Sequence, residues 1–267
     1  MPALTPPTTA APTAAAPPAA AAAPPAAARA LARAGALAGS FVVIAAAVSG
    51  SGVGDRLTRD LPWMAAFALA GLIEAGWAAT MLDRGALRGG LGQEITRGNL
   101  AAGLTSAGHR LAAGWVASRC LYGADLRTLG IGAAFVAIAS LTLLVFQLLH
   151  RRLTHYADDQ EIRGGNTAVA VSNVGLTLAL AIIVGHAAEG SFAGWAASLR
   201  AYAGALLLAL ALYPVRQLLV CRLLLGFSLG MRGHEIDRAI ASDRDHVLAG
   251  IEGLVYVATA LLVTGVF

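Results

Sequence analysis

A polar segment that turns into a long apolar run occurs twice in this chain, and it constrains the fold more than any other feature. Gln93-Glu94-Ile95-Thr96-Arg97-Gly98-Asn99 leads into Leu100 to Ser118, and Gln160-Glu161-Ile162-Arg163-Gly164-Gly165-Asn166 leads into Thr167 to Ala188. A third, weaker copy starts at His234-Glu235-Ile236. Physically the segment reads as a helix entrance. Glycine allows a tight turn, the asparagine oxygen caps the helix that follows, and alanines just inside give a small face for close helix contact. Glu94, Gly98, Asn99, Glu161, Gly165 and Asn166 are thus a structural loop motif, favoured over a ligand-binding loop because one acid beside one arginine is a weak site signal.

The runs that these loops join are apolar enough for lipid. The chain is 57% hydrophobic and 13% charged, with a mean hydropathy of +0.69, and several runs approach the ~20 residues that cross a bilayer. The expected fold is an all-α, polytopic transmembrane bundle of about seven spans, built from repeated helical hairpins. The spans are 35–53, 61–82, 99–118, 129–149, 166–188, 201–222 and 246–267. Residues 1–34, dense in Ala and Pro, read as a disordered tail. A truncated first repeat covers 35–122 and a full four-helix repeat 129–267. The run Gly35 to Val53 is taken as the first span rather than a signal peptide, since the Pro-Ala tail would precede the basic flank.

All 19 basic residues are arginine, which removes P-loop and Schiff-base lysine chemistry. Their positions give an orientation. Arg29, Arg33, Arg84, Arg88, Arg97, Arg151, Arg152, Arg163, Arg222, Arg232, Arg238 and Arg244 lie on one side; Arg56, Arg59, Arg119, Arg127 and Arg200 lie on the other. The tail and the polar loops are then cytoplasmic and Phe267 is outside. The arginines form no patch with interleaved aromatics, so nucleic acid is not an expected partner. Cys120 and Cys221 fall at opposite depths, too far apart for a disulfide.

Four ionisable residues fall inside predicted spans: Glu74, Arg110, Arg216 and Glu252. Counting from the loop ends puts Glu74 level with Arg110 and Arg216 level with Glu252, so two ion pairs within hairpins are expected. A sharper reading is a polar pathway with His109 and His186 as proton-exchanging groups. No histidine or cysteine cluster has metal-ligand spacing, and no dinucleotide or nucleophile motif is present. No metal, cofactor or catalytic residue is therefore assigned, and an enzyme is not expected.

The Glu-Ile and Gly-Asn pairs also carry a resemblance. Glu161-Ile162 with Gly165-Asn166-Thr167-Ala168, and Glu94-Ile95 with Gly98-Asn99-Leu100-Ala101, resemble the hairpin entrances of a bacterial multi-pass family, domain of unknown function 350. The resemblance covers Leu129 to Phe267 as a full copy and Gly35 to Cys120 as the last three helices of another, with Gly39-Ser40-Phe41 standing where Gly175-Leu176-Thr177 stands. It implies an inner-membrane helical protein and no particular activity. The expected role is a structural or interaction component of the bacterial envelope, with the lipid bilayer, other envelope membrane proteins or a homo-oligomer as partners. The alternative is a small proton or ion channel or transporter using the buried Glu and Arg groups.

Overall fold

The computed structural model describes residues 25–50, 57–87, 90–121, 123–152, 156–218 and 234–265, with side chains described for all of these except 57–59, 209–218 and 234–235. The described residues form ten helices: α1 Pro25–Gly50, α2 Leu57–Ala86, α3 Leu91–Thr96, α4 Leu100–Cys120, α5 Leu126–Arg151, α6 Asp158–Arg163, α7 Thr167–Ala188, α8 Trp195–Leu218, α9 His234–Ala241 and α10 His246–Gly265. Five of them, α1, α2, α5, α7 and α10, are long and apolar enough to cross a membrane. The other long helices have 21 residues (α4) and 24 residues (α8). Helix α4 is the less apolar because it holds Thr105, Ser106, His109 and Arg110 within the bundle.

Short polar-ended segments form α3, α6 and α9, which sequence reading takes as plain loops. The tail is also shorter than expected. Helix α1 begins at Pro25, so Ala26 to Ala34 belong to it; Ala, Leu and Arg there are strong helix formers without being an apolar run. The remaining tail, 1–24, lies outside the described residues, as does Cys221. Cys120 is buried and free.

The long helices form two rows. One row is α1, α4, α7 and α10, each packed in parallel on the next. Gly35 lies against Ala107, Gly108 against Val174 and Gly175 against Gly253. In each of these pairs a Cβ on the glycine would overlap its neighbour, so helix axes this close require glycine there. This corrects the sequence alignment of α1 with α7 by one turn: Gly35, not Gly39, is the equivalent of Gly175. The second row is antiparallel to the first. Gly71 of α2 meets Leu121, and Gly132 of α5 meets Cys120.

Two apolar clusters are stacked along the helix axes. One joins α3, α6 and α9 to the first turns of the parallel row through Leu91, Ile95, Ile162, Ile240, Ala101 and Ala168. The other fills the far half with Phe67, Leu82, Val116, Phe135, Leu143 and Val184. Around the far half, Leu37, Phe41, Ile73, Val145, Leu207 and Leu262 are exposed. An outward apolar girdle of this kind suits lipid and not water.

The glycine interface gives a direct test. Gly175→Ala adds a Cβ where there is no space, and overpacking of this kind costs ~1–3 kcal/mol. Gly250→Ala, where nothing lies within 4 Å, should be neutral or stabilise by up to ~1 kcal/mol through helix propensity. Thermal melts of both variants in detergent should move in opposite directions or differ clearly in size.

Candidate functional site

Each motif asparagine works with both ends of its amide. The Asn99 Oδ1 accepts from the Ala102 N–H at 3.1 Å and caps α4. Its Nδ2 donates to the carbonyls of Ile162 (2.7 Å) and Arg163 (3.2 Å), closing the C-terminus of α6. Asn166 repeats this one step along. Its Oδ1 accepts from Ala168 and Val169, and its Nδ2 donates to Ile240 (3.3 Å), Ala241 (3.0 Å) and the Glu161 carboxylate (2.9 Å). Gly98 and Gly165 take positive φ, 88° and 75°, which explains the glycine before each asparagine. Glu94 pairs with Arg97 at 2.9 Å and lies 3.5 Å from the Asn99 amide.

The third copy is shifted from its sequence alignment. Ile240 and Ala241 accept from Asn166 as Ile162 and Arg163 accept from Asn99. The equivalent of Glu161-Ile162 is therefore Ala239-Ile240, four residues after Glu235-Ile236. Asp245 stands in place of the asparagine, accepting from Val247 and Leu248, and Arg244 has a φ of 55° where the other copies have glycine.

Between the two apolar clusters lies a buried polar layer. The His109 Nδ1 is 2.8 Å from Asp83 Oδ1, and its Nε2 is 2.9 Å from Gln147 Nε2. With Gln147 Nε2 as the donor, His109 accepts at Nε2 and donates from Nδ1 to Asp83. Ser106 donates to Asp83 (3.0 Å), and Gln147 donates onward to Thr177 (3.3 Å). One step along the row, Ser172 donates to Glu252 at 2.5 Å, Tyr256 donates to the same carboxylate at 3.2 Å, and His150 lies 3.2 Å from the Tyr256 hydroxyl. Arg151 donates to the carbonyls of Gly85 and Ala86, closing α2.

The predicted pairs fare differently. Arg110 lies 3.9 Å from Asp83, not beside Glu74. Glu74 is nine residues further along α2, ~13 Å by helix rise, and one turn from Gly71, which packs on Leu121. It therefore sits near the far end of α4. Depth counting failed because α2 and α4 do not start from one plane: Asp83 is level with Ser106 to Arg110, and the segment through α3 makes up the offset. The pair Arg216 with Glu252 falls partly outside the described residues, since the Arg216 side chain is among those not described. His186 lies at the far end, 3.7 Å from Glu189, which also meets Arg119 at 3.0 Å. It belongs to a rim cluster apart from His109.

A family match covers both parts of this arrangement. Helix-capping asparagines, glycine turns and stacked hairpins recur in both parts of the chain, and a family model described as Domain of Unknown Function (DUF350) matches residues 23–121 and 125–267. The chain belongs to this family. It carries two copies, the first of which has α1 to α4 and the second α5 to α10. No curated protein and no solved structure matches the chain.

Two consequences can be measured. Asn166→Asp retains a cap acceptor but removes the donor to Ile240 and Ala241 and puts a carboxylate beside Glu161. Each buried group left unpaired costs ~1–3 kcal/mol, so the variant should unfold at clearly lower temperature, whereas Asp245→Asn should change little. The second consequence concerns Asp158, whose carboxyl is pushed up to about 6, first by burial and also by Asp237, Asp159 and Glu252, against the pull of Arg151. A folded value above the ordinary 3.8 contributes stability that is complete below about pH 4 and lost as pH rises through about 6. Denaturation midpoints between pH 4 and 7 should show this decline, and Asp158→Asn should flatten it.

Proposed function

We propose that this is a structural, non-enzymatic interaction component of the bacterial inner membrane. In this reading all seven long helices span. The layer of α3, α6 and α9 faces the cytoplasm, as the arginine count favours, and the carboxyl terminus lies outside. The observation that carries the reading is the arrangement of the buried polar groups. Asp83, Ser106, His109, Gln147, Thr177, Ser172 and Glu252 pair sideways, from helix to helix, in one layer between two apolar clusters. Beyond that layer the inner faces of α4 and α7 are Ala112, Ala113, Val116, Ala117, Ala181 and Val184. A transport path needs polar groups, or a water-filled space, along the whole membrane normal. Lateral pairing instead fixes which helices are neighbours, the use for which buried polar groups are best attested.

The cap layer, carrying the exposed Arg97 and Arg163, is then the surface offered to other envelope proteins. The runner-up reading, a small proton or ion channel or transporter using the buried Glu and Arg groups, gains its proton-exchanging chemistry from the Asp83–His109 hydrogen bond.

Liposome reconstitution separates the two readings. A pH-sensitive dye inside vesicles should report no protein-dependent proton flux for the wild type or for His109→Gln. Flux that disappears in His109→Gln while the helical melt is retained would replace the scaffold reading with the channel.

A further inference from the structure

The parallel row repeats one interface three times, and its two outer edges depart from that interface at the same register. Counted from the capping residue (Asn99, Asn166 and Asp245) or, in α1, from Ala26 at the equivalent register, each helix of the row but the last packs on the next through its ninth residue. These are Gly35, Gly108 and Gly175, set against Ala107, Val174 and Gly253. In α10 the ninth position is Leu254, which is 72% exposed. The second position shows the same contrast: Ala28, Ala101 and Ala168 are fully buried, and Val247 is 73% exposed. On the receiving side the fifteenth residue is Gly114 in α4, Ala181 in α7 and Ala260 in α10, all buried, but in α1 it is Phe41, 70% exposed. The capping residue of the last helix also changes. The Asp245 side chain accepts the cap hydrogen bonds but has no N–H to donate to a further helix end.

We propose that these substitutions close the row against head-to-tail extension by a second copy of this chain, Asp245 and Leu254 sealing the α10 edge and Phe41 the α1 edge. Lipid acyl chains cover both edges. An open row of like interfaces is a heterologous contact that propagates into filaments unless its ends are blocked, and stacked-repeat proteins block them with atypical terminal repeats. Leucine and phenylalanine hold a neighbouring helix too far away for the close backbone packing on which association in lipid depends. A carboxylate in place of the carboxamide leaves the last capping side chain with no donor for a further helix end.

The test uses the full chain in native-like membranes, with Cys120 and Cys221 replaced by alanine. Cysteines at Ala30 and Val247 report the new contact, because Ala28 against Gly103 is its equivalent inside the row. With native edges, oxidation should give monomers. Phe41→Ala with Leu254→Gly and Asp245→Asn should raise crosslinked dimers and higher ladders by at least about tenfold. All three positions are exposed, and a retained helical melt checks folding. Should the Leu254→Gly change weaken α10, Leu254→Ala with Phe41→Ala carries the same expectation. Efficient crosslinking with native edges, or a folded edge variant that stays monomeric, overturns the proposal.

Discussion

The fold depends on one carboxamide used twice. A helix start has unpaired N–H groups and a helix end has unpaired carbonyls; an asparagine side chain carries one acceptor and one donor set, so it can serve a start and an end together. Asn99 and Asn166 each do this, joining the start of a long helix to the end of the short helix that leads into the next one. Because Asn166 is fully buried, none of its hydrogen bonds is exchanged with solvent, and an isosteric carboxylate cannot replace it. The same residue that ends a loop thereby sets the spacing of the row.

That spacing explains why small residues and polar groups alternate along the parallel helices. Close to the caps, Ala101, Ala102, Ala168 and Ala249 let the helix starts converge over Ile95, Ile162 and Ile240. About two turns further the helices are near enough for side chains to hydrogen bond across them, and there the chain places Ser106, His109, Ser172 and Glu252. Beyond this layer packing is apolar again. In lipid, apolar burial between helices contributes little, since acyl chains solvate leucine as well as leucine does. Backbone proximity and the lateral hydrogen bonds therefore supply the specificity that a soluble bundle takes from its core.

The sequence was legible where a residue acts on its own neighbours. Asn99 and Asn166 as caps, Gly98 and Gly165 as turns, and the hairpin order follow from local chemistry, and all are present. Contacts whose partner is a backbone carbonyl leave no mark in the sequence, so the donation from Asn99 to Ile162 and Arg163 could not be read. The Glu235-Ile236 match was by letters alone; the third loop has one extra residue between its isoleucine and its cap, and hydrogen bonding selects Ile240. The pairing of Glu74 with Arg110 rested on the assumption that helix ends share a plane, which short helices lying between long ones remove. Asp83, assigned to a loop, was the partner overlooked.

Arg151 shows how the antiparallel row is tied into the same scheme by different chemistry. It lies at the end of α5, and its guanidinium donates to Gly85 at 2.7 Å and Ala86 at 3.1 Å, closing α2 as the asparagines close α6 and α9. A guanidinium also carries charge, and Asp158 on α6 stands 3.7 Å from its Nε. The closure of α2 is thereby linked to the loop helix that Asn99 holds by its C-terminus. Burial raises the Asp158 carboxyl toward about 6, so the charge facing Arg151 varies across the physiological range, while the amide contacts of the parallel row do not titrate at all. The amide contacts that space the parallel row are thus indifferent to pH, whereas one tie of the antiparallel row, Arg151 with Asp158, follows protonation.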